Sequence, residues 1–323
     1  MEQETKTVHL TYKAPRLMRV FSAHLFDFFA SFFLAVFLFS LNVLVLHRLP
    51  LYQGFKTEQT EIQVRSGLYV EQDKDTKLIV DLYRNDNTLT IKEKSGKISS
   101  SLEYFFDVFL KENTKIEDPD QVYDRILLSY KDEDGMDLFD SKRKEIQAGP
   151  DEEKTYLDAY CGIVSKYALG YLSYVDGYSA SRQNIILSYA ITFLLSLSFS
   201  LMILYLMVPL CFGRGRKTFG IAMNRMGYVA LDGFSPSKIR CLLRFLFQWI
   251  LIFLASFFTL GIPLFVSVGF IFLSKNHQTL SDYVSGVVLI DQEDTKIFMD
   301  YYDYASSQII DEAIDGKENT KEV

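Results

Sequence analysis

The residue best placed to do chemistry in this sequence is an aspartate in the middle of an apolar run. Asp27 lies within "VFSAHLFDFFASFFLAVFLFSLNVLVL", residues 20–46. A charge at that depth of a membrane span costs at least about 2.5–3.5 kcal/mol on insertion scales. Arg19 stands eight residues earlier, roughly 12 Å along a helix. His24 precedes Asp27 by one turn, on the same face. A short acid cannot snorkel as a lysine does. Two roles are therefore open to Asp27: exchange of a proton or a cation, or a structural contact with Arg244 or Gln248 in a later apolar block. Arg19 is placed to snorkel to cytoplasmic headgroups. Arg240 and Arg244, one turn apart, can anchor lipid phosphate or pair with an acid.

Other reactive residue types are sparse. Asp132, Asp134 and Asp137 in "KDEDGMDLFD" loosely resemble a calcium loop but lack the EF-hand spacing and its terminal Glu, so a solvated acidic loop is expected. Tyr156, Tyr160, Tyr167, Tyr171 and Tyr174 recur at helical spacing, which favours core and interface packing over a ligand site. Cys161, Cys211 and Cys241 are too few for a disulfide framework and fit no zinc spacing. With four histidines and no Ser-His-Asp or Cys-His arrangement, no catalytic residue, metal ligand or cofactor is expected, and the chain does not read as an enzyme.

The elements that must position these residues follow from how the apolar residues are distributed. Of 323 residues 49% are hydrophobic, and the 34 Lys+Arg against 41 Asp+Glu give a net charge of −7. The apolar residues gather in long blocks with the charges between them, which excludes a purely soluble enzyme. The acidic balance argues against nucleic acid as a partner. Residues 1–19 form an N-terminal segment, and 20–46 and 185–212 form the first two spans. The block 242–273 is about 32 residues, or roughly 48 Å as one helix, more than one crossing needs. Gly261-Ile262-Pro263 interrupts it, which favours a hairpin of two short spans over one bent helix. The expected fold is thus an α-helical multi-pass membrane protein of three or four spans.

Residues 47–184, about 138 in all, are large enough for a core of their own. "SGLYVEQ", "TKLIVDLYRN" and "TLTIKEKSG" read as a strand meander and the remainder as helices, with Pro119 opening one of them, hence an inserted α+β domain. Lys6, Lys13, Arg16 and Arg19 precede the first span, and Arg214, Arg216, Lys217, Arg225, Lys238, Arg240 and Arg244 follow the second. Basic flanks mark the cytoplasmic side, which places residues 47–184 outside the cell membrane and the loop 213–241 within. A hairpin would return residues 274–323 to the cytoplasm. Their acidic, Tyr-rich end carries a short amphipathic stretch around 306–314.

The loop "GRGRKTFGIAMNRMGYVALDGFSPSKIRCLLRFL" resembles that of the RDD family of small membrane proteins, named for one arginine and two aspartates. Thr218, Phe219, Gly220, Asp232, Gly233, Pro236 and Arg244 keep the spacing of that motif. "HQTLSDYVSGVVLID" is similar to the family's closing element at Thr279, Leu280, Asp282, Gly286, Val287 and Val288, and Arg19, Ala23 and Asp27 fit its first-span pattern. The sequence departs from the pattern at Ile221-Ala222, where a basic pair is usual, at Ser281, where a His is usual, and at Arg225, where a glycine is common. The resemblance covers about residues 12–46 and 185–292 and is silent on the insert.

The resemblance implies transport, in its most concrete version cation/proton antiport. Asp27 would then be the ionisable group near His24, with Arg19, Arg244 and Asp282 tuning it or locking the cytoplasmic side, and a homo-oligomer would thicken the thin wall of the bundle. The rival is a non-transporting scaffold or sensor in which residues 47–184 recognise an envelope protein partner and the bilayer part anchors it. Deleting residues 52–180 discriminates: a transporter core keeps its flux, whereas a sensor loses its output.

Overall fold

The computed structural model describes residues 12–72, 75–131, 135–146, 153–293 and 295–309. The chain forms two compact units, one of Met1–Val43 with Ile191–Val323 and the other Leu44–Ala190. In chain order the elements are α1 (Leu17–Leu46), α2 (Pro50–Arg65), β1 (Tyr69–Gln72), β2 (Asp75–Leu78), α3 (Ile79–Arg84), α4 (Ile91–Tyr104, its helix continuing to residue 113) and α5 (Pro119–Leu128). They continue as α6 (Glu153–Ile163, its helix running on to residue 172), α7 (Tyr178–Cys211), α8 (Phe219–Met223), β3 (Met226–Ala230), α9 (Lys238–Phe258), α10 (Ile262–Leu273), α11 (Leu280–Ser285) and β4 (Val287–Asp291).

Among the described residues three helices, α1, α7 and α9, are long and apolar enough to cross a membrane. Buried and half-buried polar contacts tie them together. Asn42 Nδ2 donates to Ser196 Oγ (2.9 Å), Ser200 Oγ to the Ser31 carbonyl (2.6 Å), and Trp249 Nε1 to Ser198 Oγ (3.1 Å). Small hydroxyl residues let helix backbones approach and supply bonds that apolar surroundings cannot. After Phe258 the chain turns back through Gly261, whose φ of 86° lies in the left-handed region that glycine enters without strain. The Gly261 amide donates to the Ser256 carbonyl (2.8 Å) and the Leu264 amide to Ser256 Oγ (3.1 Å), so α10 packs back on α9. At about 1.5 Å per residue α10 reaches only about 18 Å, short of a full hydrocarbon core. Beyond it, β3 and β4 pair antiparallel with Met226 opposite Asp291 and Ala230 opposite Val287.

The second unit departs from the expected strand meander. Among the described residues of this unit one antiparallel ribbon forms, β1 with β2, Tyr69 opposite Leu78, besides two isolated bridges. Ile79 and Val80, β-formers by type, turn into α3 and bury their side chains in the core; packing overrides strand propensity there. The third expected strand is the start of α4. Thr90 accepts the Glu93 amide (3.3 Å) and the Glu93 carboxylate accepts the Thr90 amide (2.8 Å), a reciprocal cap that nucleates a helix where residue types alone suggest a strand. The described residues of the insert are therefore mostly helical, with a single two-stranded ribbon. Phe106 stacks on Tyr123 at 4.9 Å within its core, and Tyr156, Tyr160 and Cys161 are buried there, while Tyr167 and Tyr174 stay exposed. Burial pushes the Cys161 thiol up, which makes it a packing residue more than a nucleophile. Asp132 and Asp134 of the acidic loop lie outside the described residues, as does the end of the 306–314 stretch; residues 301–309 are helical.

Candidate functional site

Asp27 is fully buried on α1, and its carboxylate is spent on the loop that follows α7. Thr218 Oγ1 donates to Oδ2 and the Gly220 amide donates to Oδ1 at 2.7 Å. The sequence supports this locally. Thr218 precedes the single-turn helix α8, whose first amide groups have no partner within so short a helix, and Asp27 supplies one from another element. Gly220 permits the approach: a Cβ there would collide with the Ala23 carbonyl and lie 3.0 Å from Asp27 Cγ. The contact that Asp27 makes is thus with the loop, and not with Arg244 or Gln248.

Those two residues are engaged elsewhere. Arg244, buried on α9, donates from Nε to Asp282 Oδ1 (2.5 Å) and from Nη2 to Tyr228 Oη (2.5 Å), with its guanidinium 4.0 Å above the Tyr228 ring. Gln248 Oε1 accepts from Ser281 Oγ at 2.7 Å. Asp282 also closes the cap of α11, its Oδ2 accepting the Thr279 amide at 3.1 Å. Burial pushes the Asp282 carboxyl up, but the Arg244 guanidinium with His24 and the Thr279 bonds outweighs it and leaves the group below the ordinary carboxylate value. Burial lifts the Tyr228 phenol well above its ordinary range, so it stays protonated as an acceptor for Arg244.

Arg19 does not reach for headgroups. Its Nη1 donates to Asp291 Oδ2 at the end of β4 (2.7 Å) and its Nη2 to the Asn224 carbonyl (2.5 Å), with Glu293 at 3.5 Å. Three charged contacts therefore fasten the α8–β3–α11–β4 cap to α1 and α9. The remaining loop motif residues lie apart from them. Asp232 is exposed in the turn after β3, where Oδ1 accepts the Phe234 amide (3.2 Å) and Oδ2 faces Arg240 at 3.6 Å. Gly233 takes the positive φ of that turn, and Pro236 leads into Ser237, whose hydroxyl accepts the Arg240 amide (3.3 Å) and caps α9.

His24 makes no proton-sharing pair with Asp27 through Nε2, because that atom is buried without a hydrogen-bond partner. It lines a recess of about 260 Å³ among α1, α7, α9 and α10. Among the described residues no group of three or more His, Cys, Asp or Glu could hold a metal ion.

Residue-type reasoning missed Asp291 and Tyr228. Asp291 ends an apolar strand in a stretch whose other motif positions were visible, and the one available signal is an acid at the last position of "VVLID". Tyr228 lies amid a fully buried strand, which gives a lone phenol no outward mark.

In comparisons with known proteins, the model of the RDD family matches residues 157–286, about two-fifths of the chain. The match takes in Gly220, Arg244 and Asp282 and leaves Arg19, Asp27 and Asp291 outside. It begins inside the second unit, earlier than the motif residues suggest. No curated protein and no solved structure matches the chain.

Proposed function

We propose, for a membrane protein carrying an RDD family domain, that the charged residues of the motif are clasps and that the protein is a non-transporting membrane scaffold or sensor. The observation that carries this reading is the state of Asp27. An ion-coupling carboxylate must exchange its partner during turnover, whereas Asp27 accepts bonds from Thr218 and from the backbone amide of Gly220, in a loop packed so closely on α1 that a side chain at that glycine would not fit. Arg19 and Arg244 are likewise paired, with Asp291 and Asp282. Removing one member of a buried pair such as Arg244–Asp282 is strongly destabilising, which suits a rigid joint better than a cycling site.

In this reading the basic flanks put the cap in the cytoplasm and residues 47–184 outside the cell membrane. That unit brings its own buried core and would serve as the recognition part for an envelope partner. Cation/proton antiport is the competing activity, with Asp27 as its coupling group.

A pH-gradient assay in everted vesicles, with Na⁺, K⁺ and Li⁺ added in turn, separates the two. The scaffold reading expects no cation-dependent collapse of the gradient from wild type. Collapse that is lost in Asp27→Asn at matched membrane levels would overturn it and make Asp27 a coupling residue.

A further inference from the structure

The recess beside His24 is walled mostly by apolar side chains, with a few polar groups among them. Buried Tyr205, Ser267 and Thr279 line it together with Gln248 and His24, while Leu25, Phe28 and Phe265, all substantially exposed on α1 and α10, stand around it as well. These exposed side chains belong to apolar helices, so the opening faces lipid tails once the helices are in a bilayer. No Asp, Glu, Lys or Arg is among the lining residues. A charged head would therefore enter without a counter-charge, which is costly in so apolar a place. At about 260 Å³ the space falls just below the ~300–1,000 Å³ of drug-sized sites, room for one slim chain. The fold also leaves His24 Nε2 buried and unbonded, although buried polar atoms are nearly always paired.

We infer that this recess is a binding site for a neutral single-chain amphiphile that enters from the bilayer, its apolar chain passing between Leu25 and Phe265 and its hydroxyl or carbonyl head bonding among His24, Gln248 and Thr279. The inference concerns the membrane part alone and holds whether the protein transports or only anchors. A ligand there would bridge α1 to the α9–α10 hairpin, next to the Ser281–Gln248 bond.

The test uses the full-length protein in lipid nanodiscs with a hexadecanol carrying a diazirine on its chain. Irradiation and peptide mapping are expected to place the label on residues 21–28 and 264–271. Excess hexadecanol should suppress it about tenfold, while hexadecyl phosphate should not. Leu25→Trp adds bulk at an exposed mouth position without touching the core, and should abolish the label with an unchanged melting temperature. His24→Leu should weaken competition by hexadecanol. Label spread evenly over exposed Phe29, Phe33 and Phe37 and indifferent to Leu25→Trp would overturn the site. Equal competition by hexadecyl phosphate would overturn the neutral head. Should His24→Leu fail to fold, the Leu25→Trp comparison decides alone.

Discussion

The Gly220 amide donates to Asp27 Oδ1 at 2.7 Å, and the Gly220 Cα faces the Ala23 carbonyl with no space for a side chain. The loop is held both by what it bonds and by what it lacks. A methyl at position 220 would meet backbone, which cannot rotate away, so Gly220→Ala should lift α8 off α1. Overpacking of this kind costs about 1–3 kcal/mol. The expected result is a lower melting temperature in detergent together with faster tryptic cleavage at Arg214, Arg216 and Lys217, the basic residues leading into the loop. Unchanged melting and cleavage would mean that the loop does not rest on α1 as described.

Arg244 and Asp282 should behave as a unit. Removing one member of a buried pair leaves an uncompensated charge at a cost of about 3–5 kcal/mol. Asp282→Ala additionally opens the α11 cap, since Oδ2 also holds the Thr279 amide. Arg244→Met leaves Tyr228 Oη without its donor but frees no charge except that of Asp282, which stays capped. The double variant Arg244→Met with Asp282→Ala should therefore be more stable than the sum of the two single losses predicts. A thermal double-mutant cycle measures this, and strict additivity would show that the 2.5 Å contact carries no coupling.

The second unit offers an independent check, because its helix α4 begins at a position where residue types favour a strand. Thr90→Ala removes the hydroxyl that accepts the Glu93 amide, and loss of such a cap costs about 1 kcal/mol. Hydrogen exchange should rise over residues 91–104 and stay unchanged around Asp27 and Gly220, which belong to the other unit. Unaltered exchange in α4 would return the segment to the strand reading.

What was legible in the sequence divides along the same physical line. The long apolar helices were visible because lipid demands an uninterrupted run, and Gly261-Ile262-Pro263 marked the turn because glycine and proline constrain the backbone whatever surrounds them. Asp27, Arg244 and Asp282 stood out as charges where charge is costly. Their partners did not. The bond from Gly220 to Asp27 spans 193 positions, and that from Arg19 to Asp291 spans 272; local pattern carries no trace of a contact so remote. Arg19 therefore read as a snorkelling residue when it is the far end of a clasp. Ile79 and Val80 misled for a related reason: their types suit a pleated surface, but the core they fill accepts them equally from a helix.

Acid should open the Arg244–Asp282 clasp, and the sign follows from the surroundings of Asp282. Burial by itself would raise its carboxyl, but Arg244, His24 and Thr279 leave it below the ordinary value in the folded chain. The unfolded chain then takes up this proton at a higher pH than the folded chain, near about 3.9. The stabilisation is complete above that value and is lost as pH falls through the lower folded one. Wild-type melting temperature in detergent should accordingly hold from neutral pH to about 5 and fall below about 4. Asp282→Asn starts lower at neutral pH and lacks this proton uptake, so the two curves should converge as the solution is acidified. Parallel curves down to pH about 3 would show that the proton taken up on acid unfolding belongs to other carboxylates.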